Sequence, residues 1–355
     1  MSKNKLLYGA KIAHLTGSSK TQYNNRGQSI RFAKRLHQLG YRVQHCKNIS
    51  NRHVGVVVED WQQQGLAVST IKTYLSSVRQ MCRTYGNEKI HKNNSEFGVE
   101  KRCYIATQSK AVPKIVYHAV LDQFLSGSER FQRIGRQLTV MRELGLRHEE
   151  ARKINPATAL LPDGRIYISD GTKGGRDRIL HEPSQKQIDA VKALAPFIGK
   201  NDNSWPDGVS EASWEKYVYK IVGRMGLCIK TCGASLHGLR HAYAQARYED
   251  LTNLLAPCLY SSPLDYREAA YQKHGETWRN RHDQAINILA HELGHNRGEI
   301  TETYLGTIHG QICKYFKLTY CNLLFLPCRV RINCNFIYLY FNALKTKTSF
   351  FKLYP

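Results

Sequence analysis

"AINILAHELGHNRGEITETYLG" (residues 285–306) holds two incompatible chemistries in one stretch. Read from His291 it spells H-E-x-x-H, in which two histidines a helical turn apart share a zinc ion and Glu292 is the general base of a metallopeptidase. Read from Leu293 it spells L-G-H-x8-Y, which sets His295 before Tyr304 and suits phosphoryl transfer without a metal. A zinc site needs a third ligand, either a histidine six residues after the second motif histidine or an acidic residue farther on. Gly298 matches the extended zinc pattern, but position 301 is Thr301, no Asp or Glu follows Glu302, and only His309 remains as an irregular ligand. The zinc reading is the weaker one.

Three more segments carry residues that suit phosphate chemistry. "SLHGLRHAYAQ" (235–245) places His237 and Arg240 at H-x-x-R, and "LGLRHEEARKI" (144–154) supplies Arg147 with Glu150 three places on. Between them, "GRIYISDGTKGGRDRILHEP" (164–183) changes to a period of two around Lys-Gly-Gly, which predicts a β-hairpin carrying Lys173, Arg176 and Arg178. Arg147 could instead salt-bridge Glu150 locally, and Arg176 and Arg178 are cations suited to holding phosphate. His241 fits a helix histidine more simply than a catalyst.

The amino-terminal part is helical by pattern. "SIRFAKRLHQLG" (29–40) spaces Phe32, Leu36 and Leu39 along one face and ends at Gly40. "STIKTYLSSVRQMCRTYG" (69–86) aligns Ile71, Tyr74, Leu75, Val78, Met81, Cys82 and Tyr85 in a stripe stopped by Gly86. Lys72, Arg79 and Arg83 form a basic ridge beside that stripe, expected to touch DNA phosphates. The chain divides into a flexible basic arm (1–20), a small helical domain (21–90), a polar linker (91–112) and a larger domain (113–310).

With 52 Lys+Arg against 28 Asp+Glu among 355 residues, the formal charge is +24. That excess is spread along the chain and points to a polyanionic partner, double-stranded DNA above all. Neither a secretory signal nor a clean apolar run of about 18 residues is found, so the protein is expected in the cytoplasm, at the nucleoid, with no membrane association. Ten cysteines in a chain of this length and compartment read as thiols. Cys228 and Cys232 have no second Cys/His pair at metal-site spacing, and no metal or cofactor is expected.

Taken in order, the four segments resemble the tyrosine recombinases, the phage-integrase family, over roughly residues 21–310. The resemblance implies a mainly α fold with a small β-hairpin (α+β): a helical core-binding domain that clamps DNA, followed by a catalytic domain. It carries over six residues: Arg147, Lys173, His237, Arg240, His295 and Tyr304. On that basis Arg147 and Arg240 brace the non-bridging oxygens, since two guanidinium forks can follow charge onto them with fixed geometry. Tyr304 attacks phosphorus to leave a 3′-phosphotyrosyl enzyme, His237 accepts its proton, His295 hydrogen-bonds the phosphoryl group, and Lys173 protonates the departing 5′ oxygen. Glu150 supports the site and His241 packs beside it. The implied activity is site-specific recombination for a prophage or other mobile element, by a homotetramer on two DNA sites, with accessory DNA-bending proteins as further partners. A relaxing activity like that of type IB topoisomerases and a catalytically inactive DNA-binding remnant are the alternatives.

Two features depart from the family pattern. The separation between His237 and His295 is roughly twice that usual in compact members, which implies an insertion near 250–284, either an extra helical lobe or a surface decoration. The tail at 311–355 lacks Asp and Glu, contains Cys313, Cys321, Cys328 and Cys334, and includes the β-prone run "FIYLYF". It reads as a frameshifted or read-through extension, or else as a subunit contact.

Overall fold

The computed structural model describes residues 5–101, 105–106, 108–172, 175–295 and 298–309. The chain separates into two compact units between residues 104 and 105. Among the described residues both are mostly helical. Among the described residues no helix is long and apolar enough to cross a membrane.

The first unit contains α1 (Lys5–Ile12), α2 (Ser19–Gln38), α3 (Asn51–Gln63) and α4 (Val68–Thr84). The α4 stripe buries Ile71, Leu75, Val78, Met81 and Cys82 against Phe32 and Leu36 of α2 and Val54, Val57, Val58 and Trp61 of α3. Gly86 ends α4 with φ +72°, the left-handed turn that glycine adopts without a steric penalty. Arg35 of α2 holds Asp60 of α3 through two guanidinium nitrogens, one of them at 2.7 Å.

Three expectations need correction here. The segment read as a flexible arm folds as α1, and Leu6, Ala10, Ala13 and Leu15 are buried. The alanines carry little hydrophobic signal, yet their small size brings α1 close enough for the Gly9 carbonyl to accept from Tyr85 at 2.8 Å. The first part of the expected linker is also packed, because Phe97 and Val99 belong to this unit's core. Finally, the basic ridge is not a row of free cations. Lys72 is half-buried and Arg83 exposed, but Arg79 donates to the His91 carbonyl (2.6 Å) and Asn94 Oδ1 (2.8 Å), stapling the chain after α4 to that helix.

The second unit runs α5 (Lys114–Leu125), α6 (Glu129–Glu143), α7 (His148–Lys153), α8 (Pro156–Ala159), β1 (Ile166–Ile168), β2 (Arg178–Leu180), α9 (Gln185–Lys192), α10 (Glu211–Arg224), α11 (Ile229–Cys232), α12 (Gly238–Thr252), α13 (Pro263–His274), α14 (Trp278–Glu292) and α15 (Glu302–Leu305). The hairpin forms as its period predicts, antiparallel with Ile166 opposite Leu180 and Ile168 opposite Arg178. Because alternate residues share a face, Arg178 is buried alongside Leu180, Ile166 and Ile168. Lys173 lies outside the described residues, as does the tail at 311–355.

Among its described residues this unit has two cores. One gathers Phe124, Leu138, Leu146, Trp214 and Val218. The other joins Tyr248 of α12, Tyr266 and Ala270 of α13, Leu289 of α14, and Leu305 and Ile308 around α15. The expected insertion is therefore not a surface decoration. Tyr248 Oη lies 2.5 Å from Tyr266 Oη and 2.7 Å from His282 Nδ1, so α13 is bonded into the core that α12 and α14 share with α15.

Candidate active site

Glu150, fully buried in α7, is the hub around which the cations assemble. Its carboxylate accepts from the Arg147 backbone N–H (2.8 Å) and Arg147 Nη1 (2.6 Å) within one turn. Arg178 reaches it from β2 with both terminal nitrogens, at 3.1 and 2.8 Å, and Arg240 Nη1 stands 3.9 Å away. Burial alone would raise this carboxyl, but hydrogen bonding and attraction from Arg178, then Arg240 and Arg147, win and lower it to about 2. One carboxylate faces three guanidiniums. The surplus positive charge, in a place poorly reached by water, favours an incoming anion.

Arg240, on the first turn of α12, is itself fully buried. Its Nη1 donates to the Gly145 carbonyl at 2.5 Å, and its Nη2 donates to the Leu293 carbonyl and to His295 Nε2, the latter at 3.2 Å. Burial lowers its pKa to about 10, so it stays charged at neutral pH. Gly145 is needed where it stands: φ is +64°, and a Cβ there would come within 2.4 Å of the Tyr243 ring.

Tyr304, on α15, points its hydroxyl at this cluster. Its Oη accepts from Arg240 Nε at 3.2 Å and lies 3.4 Å from His237 Nε2. The ring stacks on His295, with centroids 5.5 Å apart and planes 22° apart, and touches His241 at 4.6 Å. His237 and His241 are lowered to about 4 and His295 to about 3, by burial first and then chiefly by neighbouring cationic or imidazole groups. The His237 residue keeps a solvent-exposed edge, which weakens the burial contribution but not the repulsion by Arg240 and Arg147. All three rings are neutral at pH 7. A neutral His237 can accept a proton from the phenol it faces.

The structure thus brings together five of the six residues singled out in the sequence: Arg147, His237, Arg240, His295 and Tyr304. Arg176 is exposed on the hairpin. Arg178 is a correction: it was expected to hold DNA phosphate, but both its terminal nitrogens are engaged by Glu150. Strand alternation carried that signal, because an inward Leu180 requires an inward residue 178. The H-E-x-x-H reading also fails on geometry. Glu292 accepts from Tyr243 Oη (2.7 Å) and from Arg247 (3.0 Å at its nearest), while His295 Nε2 faces the Arg240 guanidinium, no place for a cation. Among the described residues no group of three His, Cys, Asp or Glu could hold a metal ion.

Known proteins share parts of this sequence and its fold. Family models described as "Phage integrase, N-terminal" and "Integrase" match residues 4–91 and 100–246. No curated protein sequence gives a significant match. Among solved structures, a lambda integrase dimer bound to a COC′ core site is 13% identical, with a TM-score of 0.52 over 94% of this chain and 81% of that one. The Tn1549 transposon integrase in complex with a circular intermediate DNA is 13% identical, with a TM-score of 0.51 over 90% of this chain and 99% of that one. XerH site-specific recombinase bound to a palindromic difH substrate, in a post-cleavage complex, is 16% identical, with a TM-score of 0.50 over 84% of this chain and 78% of that one. These structures share the fold. With integrase models over most of both units and that fold around the site, the chain belongs to the tyrosine-recombinase, or phage-integrase, family.

Proposed function

We propose that the protein is a site-specific DNA recombinase that cuts and rejoins duplex DNA through a 3′-phosphotyrosyl intermediate at Tyr304. The observation that carries this reading is the Tyr304 hydroxyl, held 3.2 Å from Arg240 Nε and 3.4 Å from His237 Nε2 at the edge of a buried surplus of positive charge. A scissile phosphate supplies the anion that surplus favours. Arg147 and Arg240 then brace the non-bridging oxygens while His237 takes the phenol proton and His295 hydrogen-bonds the phosphoryl group. Lys173 delivers a proton to the leaving 5′ oxygen. Because the tyrosyl ester conserves the energy of the broken bond, a 5′-hydroxyl from another strand can attack it, expel Tyr304 and complete exchange without a nucleotide cofactor.

In this reading the protein works on chromosomal DNA in the cytoplasm, serves a prophage or other mobile element, and acts as a tetramer on two sites, with DNA-bending proteins as helpers. A lambda integrase tetramer bound to a Holliday junction has the same fold, with 14% identity and a TM-score of 0.51, and supports the stoichiometry by likeness. Arg176, Lys72 and Arg83 remain the proposed phosphate contacts. The test uses a nicked DNA that traps the cleaved state: wild-type protein is expected to become covalently attached, with or without a chelator, and Tyr304→Phe to remain free. Failure of the wild-type protein to attach to its own site would favour a non-catalytic DNA-binding remnant.

A further inference from the structure

We infer that Gln245 is a positioning residue for the nucleophile, coupling the segment at 108–112 to the backbone of Tyr304. The inference rests on the recombinase reading for its functional meaning. α15 spans only Glu302–Leu305, too short to hold its own place by helix formation. Its position comes from tertiary contacts. Leu305 and Ile308 are buried in the second core, and the Tyr304 ring lies among three histidines. The main chain of the nucleophile is held by Gln245, whose Nε2 donates to the Tyr304 carbonyl at 3.1 Å.

The other end of the same amide faces the start of the unit. Gln245 Oε1 accepts from Ser109 Oγ at 3.0 Å, and Ser109 Oγ accepts from the Ala111 N–H at 3.2 Å. Residues near Ser109 are bonded to the catalytic elements as well. The Ala106 N–H donates to the Glu302 carbonyl at 3.4 Å, and the Val112 N–H donates to the Gly238 carbonyl at 3.1 Å. Gly238 permits that approach, since a Cβ there would stand 2.6 Å from the Lys110 carbonyl oxygen. Cys258 completes the surroundings: its Sγ accepts from Gln245 Nε2 at 3.5 Å and lies 3.8 Å from the Tyr304 carbonyl. Gln245, itself under a tenth exposed, has both ends of its amide engaged, which fixes distance at both ends. Gln245 reaches the backbone of the nucleophile and no reacting atom, so its effect is on where the phenol stands.

The experiment compares wild type, Gln245→Met, which keeps length without hydrogen bonds, and Ser109→Ala, which removes one partner with little loss of volume. Single-turnover cleavage is measured on a nicked DNA carrying oxygen or sulfur at the 5′ bridging position, alongside DNA affinity and backbone hydrogen exchange of residues 301–308. Sulfur leaves without a proton, so it separates nucleophile placement from acid catalysis. Gln245→Met is expected to cleave about 10- to 100-fold more slowly on both substrates, with unchanged affinity and faster exchange at 301–308; Ser109→Ala should move both readouts the same way by less. Wild-type cleavage and exchange in both variants would overturn the inference, as would a defect that disappears with sulfur. If Gln245→Met does not fold, Ser109→Ala decides it by the same criteria. If the wild-type protein forms no adduct, the recombinase reading fails, and the exchange data still decide whether Gln245 holds α15.

Discussion

Glu150→Gln preserves the size of the side chain but removes the carboxylate shared by Arg147, Arg178 and Arg240. Two routes give the size of the effect. The lowering of the carboxyl from 4.5 to about 2 in a fully buried group corresponds to about 3 kcal/mol in favour of the folded state. Removing one partner of a buried ion pair costs about 3–5 kcal/mol in other proteins, so the routes agree. For a unit of this size the loss lowers Tm by about 10 °C. The pH dependence has a definite sign. Since the folded-state pKa is depressed, the stabilisation is complete above the ordinary carboxyl value of 4.5 and is lost as pH falls toward 2. The gap in Tm between wild type and Glu150→Gln should therefore be widest at pH 6–7 and close as pH falls below about 4.5. Sulfate should raise the Tm of the variant more than that of the wild type, because the uncompensated arginines gain more from a bound anion. Thermal unfolding followed by circular dichroism from pH 3 to 7 reads all of this. Equal Tm values at pH 7, or a gap that does not change with pH, would refute the account of Glu150 as the electrostatic hub.

Three further outcomes follow from the same geometry. Gly145→Ala should lose about 3 kcal/mol, from positive φ and overpacking against Tyr243, and should slow cleavage by moving the carbonyl that holds Arg240; denaturant unfolding and single-turnover rates check this. Arg178→Ala should resemble Glu150→Gln in thermal unfolding, whereas Arg176→Ala should leave Tm alone and reduce the slope of log affinity against log salt by about 1. With His237 lowered to about 4 by burial and then by Arg240 and Arg147, the second-order cleavage rate should stay flat from pH 7 to about 5 and fall only as the ring gains its proton near 4; an acid limb centred at 6.5 would contradict that protonation state.

Part of the site was readable because short, fixed spacings mark it. H-x-x-R places His237 and Arg240 one turn apart at the start of α12, and L-G-H-x8-Y brings His295 and Tyr304 to the same point. The change of period at 164–183 likewise marked the hairpin. What escaped were contacts between residues distant in sequence. Arg178 looked like a surface cation until strand alternation turned it toward Glu150, and Arg79 looked like part of a DNA ridge until residues 91–97 folded back on α4. α1 escaped because Leu6, Ala10 and Ala13 make a weak apolar stripe whose value lies in close approach and not in hydrophobic area. Gln245 and Ser109 gave no motif at all: their roles depend on where an irregular segment and a one-turn helix meet.

If Tyr304 attacks DNA, the ester it forms can be located directly. Protein trapped on a nicked site can be digested and the DNA-linked peptide sequenced by mass spectrometry. A single modified peptide spanning residues 298–309 is expected, with the 3′-phosphate end of the DNA on Tyr304 and a free 5′-hydroxyl on the other fragment. A linkage to any other residue, a 5′-phosphate linkage, or cleavage that persists in Tyr304→Phe would contradict that attack.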